Sequence, residues 1–360
     1  RLVALSAAVL TLGVGAVAQS PRHNVVLITL DGARAAEMFG GLDVDILRST
    51  LADKQKVEDT PTYKRFWTPD AQVRREKLMP FFWGTLMREH GSIAGNRALG
   101  SRVRLTNRHW FSYPGYSEML VGRTQDDVIK SNDRVQNPSR TVLEFLRERL
   151  GAPRQGVAVF ASWNVFNAIA ESQMGALTIN AGFEAYDHPD PQITALNDLQ
   201  FKTPTPWDSV RHDAYTARFA MAHLDTFRPQ VLYLALGETD DWAHDGRYDL
   251  VLDAFARTDD ILRTLWTWLQ SQPEYRGRTS ILITTDHGRG RGADGWRHHG
   301  EKHAGSDETW MAFVSPHMSA RGEWRADAAP IETRQVAATL LRWMGIDVSA
   351  FAGAAPPIVK

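Results

Sequence analysis

Cysteine is absent from all 360 residues. That excludes a disulfide framework, a thiolate metal site and a cysteine nucleophile, so any catalysis must use oxygen and nitrogen groups. Charge of one sign is not in excess either. Lys plus Arg number 41 and Asp plus Glu 42, a net charge of −1, which gives no bulk field to attract nucleic acid or an anionic membrane. The sequence also lacks internal repeats, low-complexity blocks and any Gly/Ser-rich or Pro-rich linker. Beyond the first twenty residues it lacks an apolar run of membrane-spanning length. What is present is 43% hydrophobic residues at regular intervals, too many for a disordered chain, together with 12 histidines.

Leu2 to Ala18 are apolar behind Arg1, and Ala16-Val17-Ala18 has the small-x-small form that signal peptidase accepts. The segment reads as an export signal without its start, residues 1–18, cleaved to leave a protein with no stable membrane anchor. An uncleaved anchor is the competing reading, at the short end of the spanning range of about 17 to 25 residues. The expected location is periplasmic or secreted.

Four runs are continuously apolar and rich in β-branched or aromatic residues: Val25–Leu30, Val157–Ala161, Val231–Leu236 and Ile281–Thr285, with Trp310–Val314 a fifth candidate. Such runs suit strands buried on both faces of a parallel sheet. Helical patterns lie between them at Thr141–Leu150, Asp213–Phe227, Asp249–Leu269 and Ile331–Met344. Alternating strand and helix predict an α/β fold, a three-layer α/β/α sandwich around a mostly parallel central sheet. Residues 19–360 read as a single domain, with long excursions at about 40–100 and 164–210 that show few strand signals.

Three apolar strands run directly into acidic residues. LITLDG ends in Asp31, LALGETDDWAH reaches Asp240 and then His244, and ITTDHG ends in Asp286 and His287. Ligands of open α/β sheets bind beyond the carboxyl ends of the strands, so these groups should converge on one edge. Carboxylates gathered there repel one another unless a cation sits among them, and neutral imidazoles are good ligands for zinc or similar metals. Asp240 and His244 are four apart and share a helix face. Asp286 and His287 can cooperate only if their strand has already ended, as the following Gly288 suggests. A further ligand is expected from the histidine-rich segment Trp296–His303.

These motifs, in this order, resemble the alkaline phosphatase superfamily and, within it, the nucleotide pyrophosphatase/phosphodiesterase-like branch. The resemblance spans most of the chain after the export signal. It rests on Asp31, Ser112-Tyr113-Pro114-Gly115-Tyr116, Glu238-Thr239-Asp240-Asp241-Trp242-Ala243-His244, Thr285-Asp286-His287-Gly288 and His303. It implies an alkaline-phosphatase-like fold and one metal ion on Asp240, His244 and His303. A second ion would sit on Asp31, Asp286 and His287, with Ser112 as the nucleophile beside it. His298 and His299 compete with His303, which is preferred because GSDETWMAFV after it returns to a strand. Ser112 stands where the branch usually has Thr and keeps the hydroxyl. Gly115-Tyr116 replaces Asn-His and Ala243 replaces Gly, so the leaving-group pocket is not carried over. The x-Pro-x-Arg pattern of sulfatases lacks its Arg here, which places sulfate esters below phosphate esters.

The chemistry follows from charge. Two divalent ions bring four positive charges against three ligand carboxylates, and the single surplus charge attracts an anion. A serine hydroxyl is a poor nucleophile at neutral pH, and a nearby metal ion activates it. Ser112 precedes Pro114, as at the first turn of a helix, so helix amides there are placed to help hold phosphoryl oxygens. The expectation is a two-metal hydrolase, with zinc the best match to the donors and manganese or iron alternatives, acting on small phosphate mono- or diesters through a phosphoserine. A phosphoryl-group transferase or mutase on the same scaffold and an inactive metal-binding module are the other readings. Asn132, in IKSND, lies about where the family often has a phosphate-binding Asn, but the spacing allows several assignments and an exposed turn is the preferred explanation. Gly290-Arg291-Gly292-Ala293-Asp294-Gly295 fits a dinucleotide fingerprint in form but opens no helical pattern. Arg289 and Arg291 read as loop cations near substrate, and the 12 Trp as packing residues.

Overall fold

The run Asn24–Leu30 has no alternating polar position, and it needs apolar partners on both faces. In the computed structural model, which describes residues 22–326 and 329–358, it finds both as strand β1. The expected export signal lies outside the described residues. The other strands are β2 (Gly91–Ala94), β3 (Val103–Arg104), β4 (Val157–Ala161), β5 (Thr178–Ala181), β6 (Val231–Leu236) and β7 (Thr279–Thr284). After them come β8 (Glu308–Thr309), β9 (Met311–Val314), β10 (Gly322–Glu323) and β11 (Ile331–Glu332).

An eight-stranded sheet has the order β10-β2-β9-β7-β1-β6-β4-β5, and β11-β3-β8 form a small second sheet. The five strands from β7 to β5 are mutually parallel, and β9 is antiparallel to both β7 and β2. Val26, Ile28 and Leu30 pack on one face with Phe219, Leu252, Phe255 and Phe82. Val25 and Leu27 pack on the other with Met119, Leu143, Val336 and Leu340. Two apolar layers on one sheet make the three-layer α/β/α architecture expected from the sequence.

The helix Asp213–Phe227 has the expected bounds, and Tyr248–Ser271 extends its expected run at both ends. The last helix differs. Ile331–Glu332 pairs with β3 instead, and Thr333 Oγ1 and the Arg334 amide donate to the buried Glu118 carboxylate. The helix therefore starts only at Val336. Each expected excursion also returns a strand to the sheet, β2 from the first and β5 from the second. Among the described residues no helix is long and apolar enough to cross a membrane.

Strand order positions the site. β1 lies between β6 and β7, with Leu30 beside Leu236 and Thr29 beside Thr284, so the three acid-bearing strand ends adjoin. The Asp31 amide donates to the Leu236 carbonyl at 2.9 Å, which carries the pairing past the end of the strand.

Candidate metal centre and nucleophile

β7 ends at Thr284, and this frees Asp286 and His287 to face the same way. The turn is held from inside: the Thr285 hydroxyl donates to the His287 carbonyl at 2.8 Å and accepts from the Ala33 amide at 3.0 Å. Gly288 is obligatory, because a Cβ there would lie 2.3 Å from the Glu308 carbonyl oxygen and 2.4 Å from that of Gly305. Gly32 has φ +57°, and a Cβ would meet Asp240 Oδ1 at 2.4 Å. Thr239 donates its hydroxyl to the Asp31 carbonyl at 2.5 Å and so ties the start of the Glu238–His244 helix to the end of β1.

The side chains converge. His287 is fully buried, and its Nε2 lies 3.4 Å from Asp31, 3.6 Å from Asp286 and 3.7 Å from Asp240 carboxylate oxygens. Its Nδ1 is 2.8 Å from the Gly288 carbonyl, which can only accept, so Nδ1 carries the proton and Nε2 turns a lone pair to the acids. Asp31 Oδ1 and Asp286 Oδ2 are buried and without a hydrogen-bond partner among the described residues. Two orphaned carboxylate oxygens and one imidazole lone pair fit a divalent cation.

A second group adjoins the first, formed by Asp240, His287 and His299. His244 Nε2 is 3.2 Å from Asp240 Oδ2, as the four-residue spacing predicts, and 2.9 Å from His299 Nε2. On a tetrahedral zinc ion two nitrogen ligands stand about 3.3 Å apart, close to these separations. His303 is outside the cluster and stacks on His298 with ring centroids 5.3 Å apart. The cause is local. Arg289 Nη1 donates to the Arg297 carbonyl at 2.7 Å and the Gly290 amide to the His298 carbonyl at 2.8 Å, so the next residue, His299, enters the site. Gly300, with φ +101°, then turns the chain away.

Electrostatics show how crowded the acids are without counterions. Burial, reinforced by Asp240, pushes the Asp31 carboxyl well above its usual range. Burial, with Asp31 beside it, does the same to Asp286. Burial would raise Asp240 too, yet Arg289 and His244 hold it well below. Burial next to His287 lowers the His299 imidazole to about 2, so it stays neutral and able to coordinate.

Ser112 opens the helix Ser112–Val121, with its Oγ 3.3 Å from His287 Nε2. Trp110 enters the left-handed region at φ 53°, held by Asn107 Oδ1, which accepts from the amides of His109 and Trp110. The helix lies against β7's extension at Gly115, where a Cβ would sit 2.3 Å from the Asp286 carbonyl oxygen. Tyr116 donates its hydroxyl to Asp31 Oδ2 at 3.0 Å. Burial, with Asp286 and Asp31 nearby, keeps that phenol protonated and a donor. The departures Gly115 and Tyr116 thus have a steric and a hydrogen-bonding reason.

Asn132 Oδ1 accepts from the Tyr113 amide at 2.9 Å, and Asn132 lines the same cavity as Ser112. The first-turn amides of the helix are mostly committed within the protein. Tyr113 donates to Asn132, Pro114 has no N–H and Gly115 donates to the Phe111 carbonyl, so the Ser112 amide and Asn132 Nδ2 are the donors here without an acceptor among the described residues. Arg289, in the loop after Gly288, is also not a solvated cation near substrate. It is buried, and its Nη2 donates to both the carbonyl and the carboxylate of Asp240. Gly290 and Gly295 pack backbone to backbone around a four-residue helical turn, which is no dinucleotide-binding unit.

The cavity measures about 200 Å³ and is lined by Asp31, Ser112, Asn132, Trp163, Asp240, Asp241 and His299 among others. A larger hollow of about 520 Å³, between Ile193, Leu196, Leu199, Met221 and Trp268, lies away from the strand ends and holds no such cluster.

No protein-family pattern and no curated protein matches this sequence. Solved structures do match in fold. The wild-type alkaline phosphatase PafA aligns with a TM-score of 0.58 at 11% identity, over 94% of this chain and 99% of its own. The lipoteichoic acid synthase LtaP from Listeria monocytogenes aligns with 0.56 at 9% identity, over 91% and 72%. BT1596, a 2-O GAG sulfatase, aligns with 0.54 at 13% identity, over 93% and 73%. The chain shares with these structures a mixed α/β fold, a large central sheet flanked by helices.

Proposed function

We propose that this chain is an exported hydrolase of the alkaline phosphatase superfamily, closest in its motifs to the phosphodiesterase-like branch, which cleaves phosphate esters through Ser112 beside two divalent cations. The observation that carries the reading is the Ser112 hydroxyl, 3.3 Å from the His287 lone pair and next to the orphaned oxygens of Asp31 and Asp286. Asp31, Asp286 and His287 would hold one cation, and Asp240, His244 and His299 the other; donors of this kind suit zinc first and manganese second. When bound, the pair supplies the positive charge that favours a serine alkoxide and offsets the charge of the phosphoryl group.

This chain's own residues do the rest. Ser112 Oγ forms a bond to phosphorus as the ester oxygen departs with its organic group, which leaves a phosphoserine. Water then attacks phosphorus, the Oγ–P bond breaks, and the hydroxyl is regenerated. Asn132, fixed through the Tyr113 amide, offers Nδ2 to a phosphoryl oxygen. Tyr116 fixes Asp31, and the Gly288 carbonyl fixes the His287 tautomer. The missing arginine of the sulfatase pattern favours phosphate over sulfate, and the apolar leader at residues 1–18 favours a periplasmic or secreted location.

The test compares p-nitrophenyl phosphate, its bis ester and the corresponding sulfate with zinc or manganese. Phosphate esters should turn over well above the sulfate. Ser112→Ala should keep its metal content and lose at least about 10³-fold in kcat. Unchanged turnover in that variant would remove the covalent mechanism.

A further inference from the structure

The two groups of ligand residues are not alike in charge. Asp31 and Asp286 bring two carboxylates to the first, and Asp31 Oδ1 and Asp286 Oδ2 are buried without a hydrogen-bond partner among the described residues. No described Lys or Arg forms an ion pair with either acid, and the imidazole between them, His287, presents a lone pair. The second group has one carboxylate, Asp240, and it is already engaged. Arg289 Nη2 donates to its Oδ1 and, at 2.9 Å, to its carbonyl oxygen. Arg289 is buried, and a guanidinium keeps its charge in a protein.

These charges decide which position holds a cation better. The first offers two negative charges. The second offers one, beside a fixed positive charge, so it is close to neutral before a cation arrives. Coulomb attraction for a divalent ion therefore favours the first position, and the difference is large where water is scarce. Arg289 also takes up Asp240 Oδ1, which leaves Oδ2, 3.2 Å from His244 Nε2, for a cation. Access differs in the same sense. The Asp286 and His287 side chains are fully buried, whereas that of His244 is 43% exposed, so the second position has the shorter path to solvent.

We propose that Arg289 sets an order of filling: Asp31, Asp286 and His287 take the first cation, and Asp240, His244 and His299 hold the second more weakly and exchange it first. Turnover then follows the supply of free metal, because the position beside Arg289 fills last. This rests on the two-cation hydrolase reading above and adds a regulation of that site to it.

The test starts from the zinc-loaded protein, dialysed against a series of buffers that fix free zinc and followed by metal analysis. Zinc should leave in two steps whose dissociation constants differ at least about tenfold. Crystals held at a free zinc between the steps should show, at the zinc edge, one anomalous peak, among Asp31, Asp286 and His287. Arg289→Gln removes the charge and keeps an amide donor, and it should tighten the weaker step at least about tenfold. Arg289→Lys keeps the charge and should keep the gap; Arg289→Met replaces the glutamine variant if that one does not fold. Two equal steps, or a lone peak among Asp240, His244 and His299, overturn the proposal. So does a weaker step that is unchanged or weakened further by loss of the charge, which would make Arg289 only a support for the loop of His299. In the unaltered protein kcat should half-saturate at the free zinc of the weaker step, and full turnover with the first position alone filled would remove the regulation. Zinc release and diffraction do not use turnover. If no phosphate ester is hydrolysed, the hydrolase reading fails, and these two measurements still decide the order of filling.

Discussion

His299 and His303 sit four positions apart in one loop, and only His299 reaches the acids. Its Nε2 lies 2.9 Å from that of His244 and 3.9 Å from Asp240 Oδ1. Spacing alone could not separate the candidates. The deciding contacts come from Arg289 and Gly290, which pin residues 297 and 298, and neither contact has a sequence signature. His299→Ala should therefore weaken zinc binding by at least about tenfold and leave the protein with close to one equivalent, as measured by metal analysis after dialysis. His303→Ala should retain both equivalents. The reverse result would restore the ligand set that the resemblance implied. Arg289 escaped the sequence reading for a similar reason: a basic residue after Asp-His-Gly looks like a solvated loop charge, and only the folded loop shows it buried on Asp240.

The nucleophile's helix is held against the sheet by backbone contact. Gly115 lets that helix approach to where a Cβ would lie 2.3 Å from the Asp286 carbonyl oxygen. At its other end Glu118 accepts from Thr106, Asn107, Thr333 and Arg334, joining two loops to one carboxylate. Gly115→Ala should push the helix off the strand end. We expect a loss of roughly 1–3 kcal/mol, read as a lower melting temperature, and a larger fractional loss of kcat than of metal content, because Ser112 moves with the helix. A variant with native melting temperature and native kcat would show that the close approach is not needed. The central strands were legible in the sequence because burial on both faces leaves a continuous apolar run. β2, GSIA, and β5, TINA, were not: each is four residues long and is defined by the neighbour it pairs with more than by its own composition. The two-residue strands of the small sheet carry no periodic signal at all.

On the scale of the whole chain, residues as distant as Asp31 and His299 meet because β1 lies between β6 and β7. The sequence supplied the acids at the strand ends, and the parallel sheet supplied the convergence. Folding adds a cation to that balance, Arg289 behind Asp240. That charge adds to the surplus of one expected from two divalent ions and three ligand carboxylates, which favours an anionic substrate. Anomalous diffraction from crystals of the zinc-loaded protein, recorded at the zinc edge, is the most direct measurement. The account predicts two peaks, one among Asp31, Asp286 and His287 and one among Asp240, His244 and His299, both adjacent to Ser112. A protein that takes up zinc but shows no peak among these side chains would contradict it.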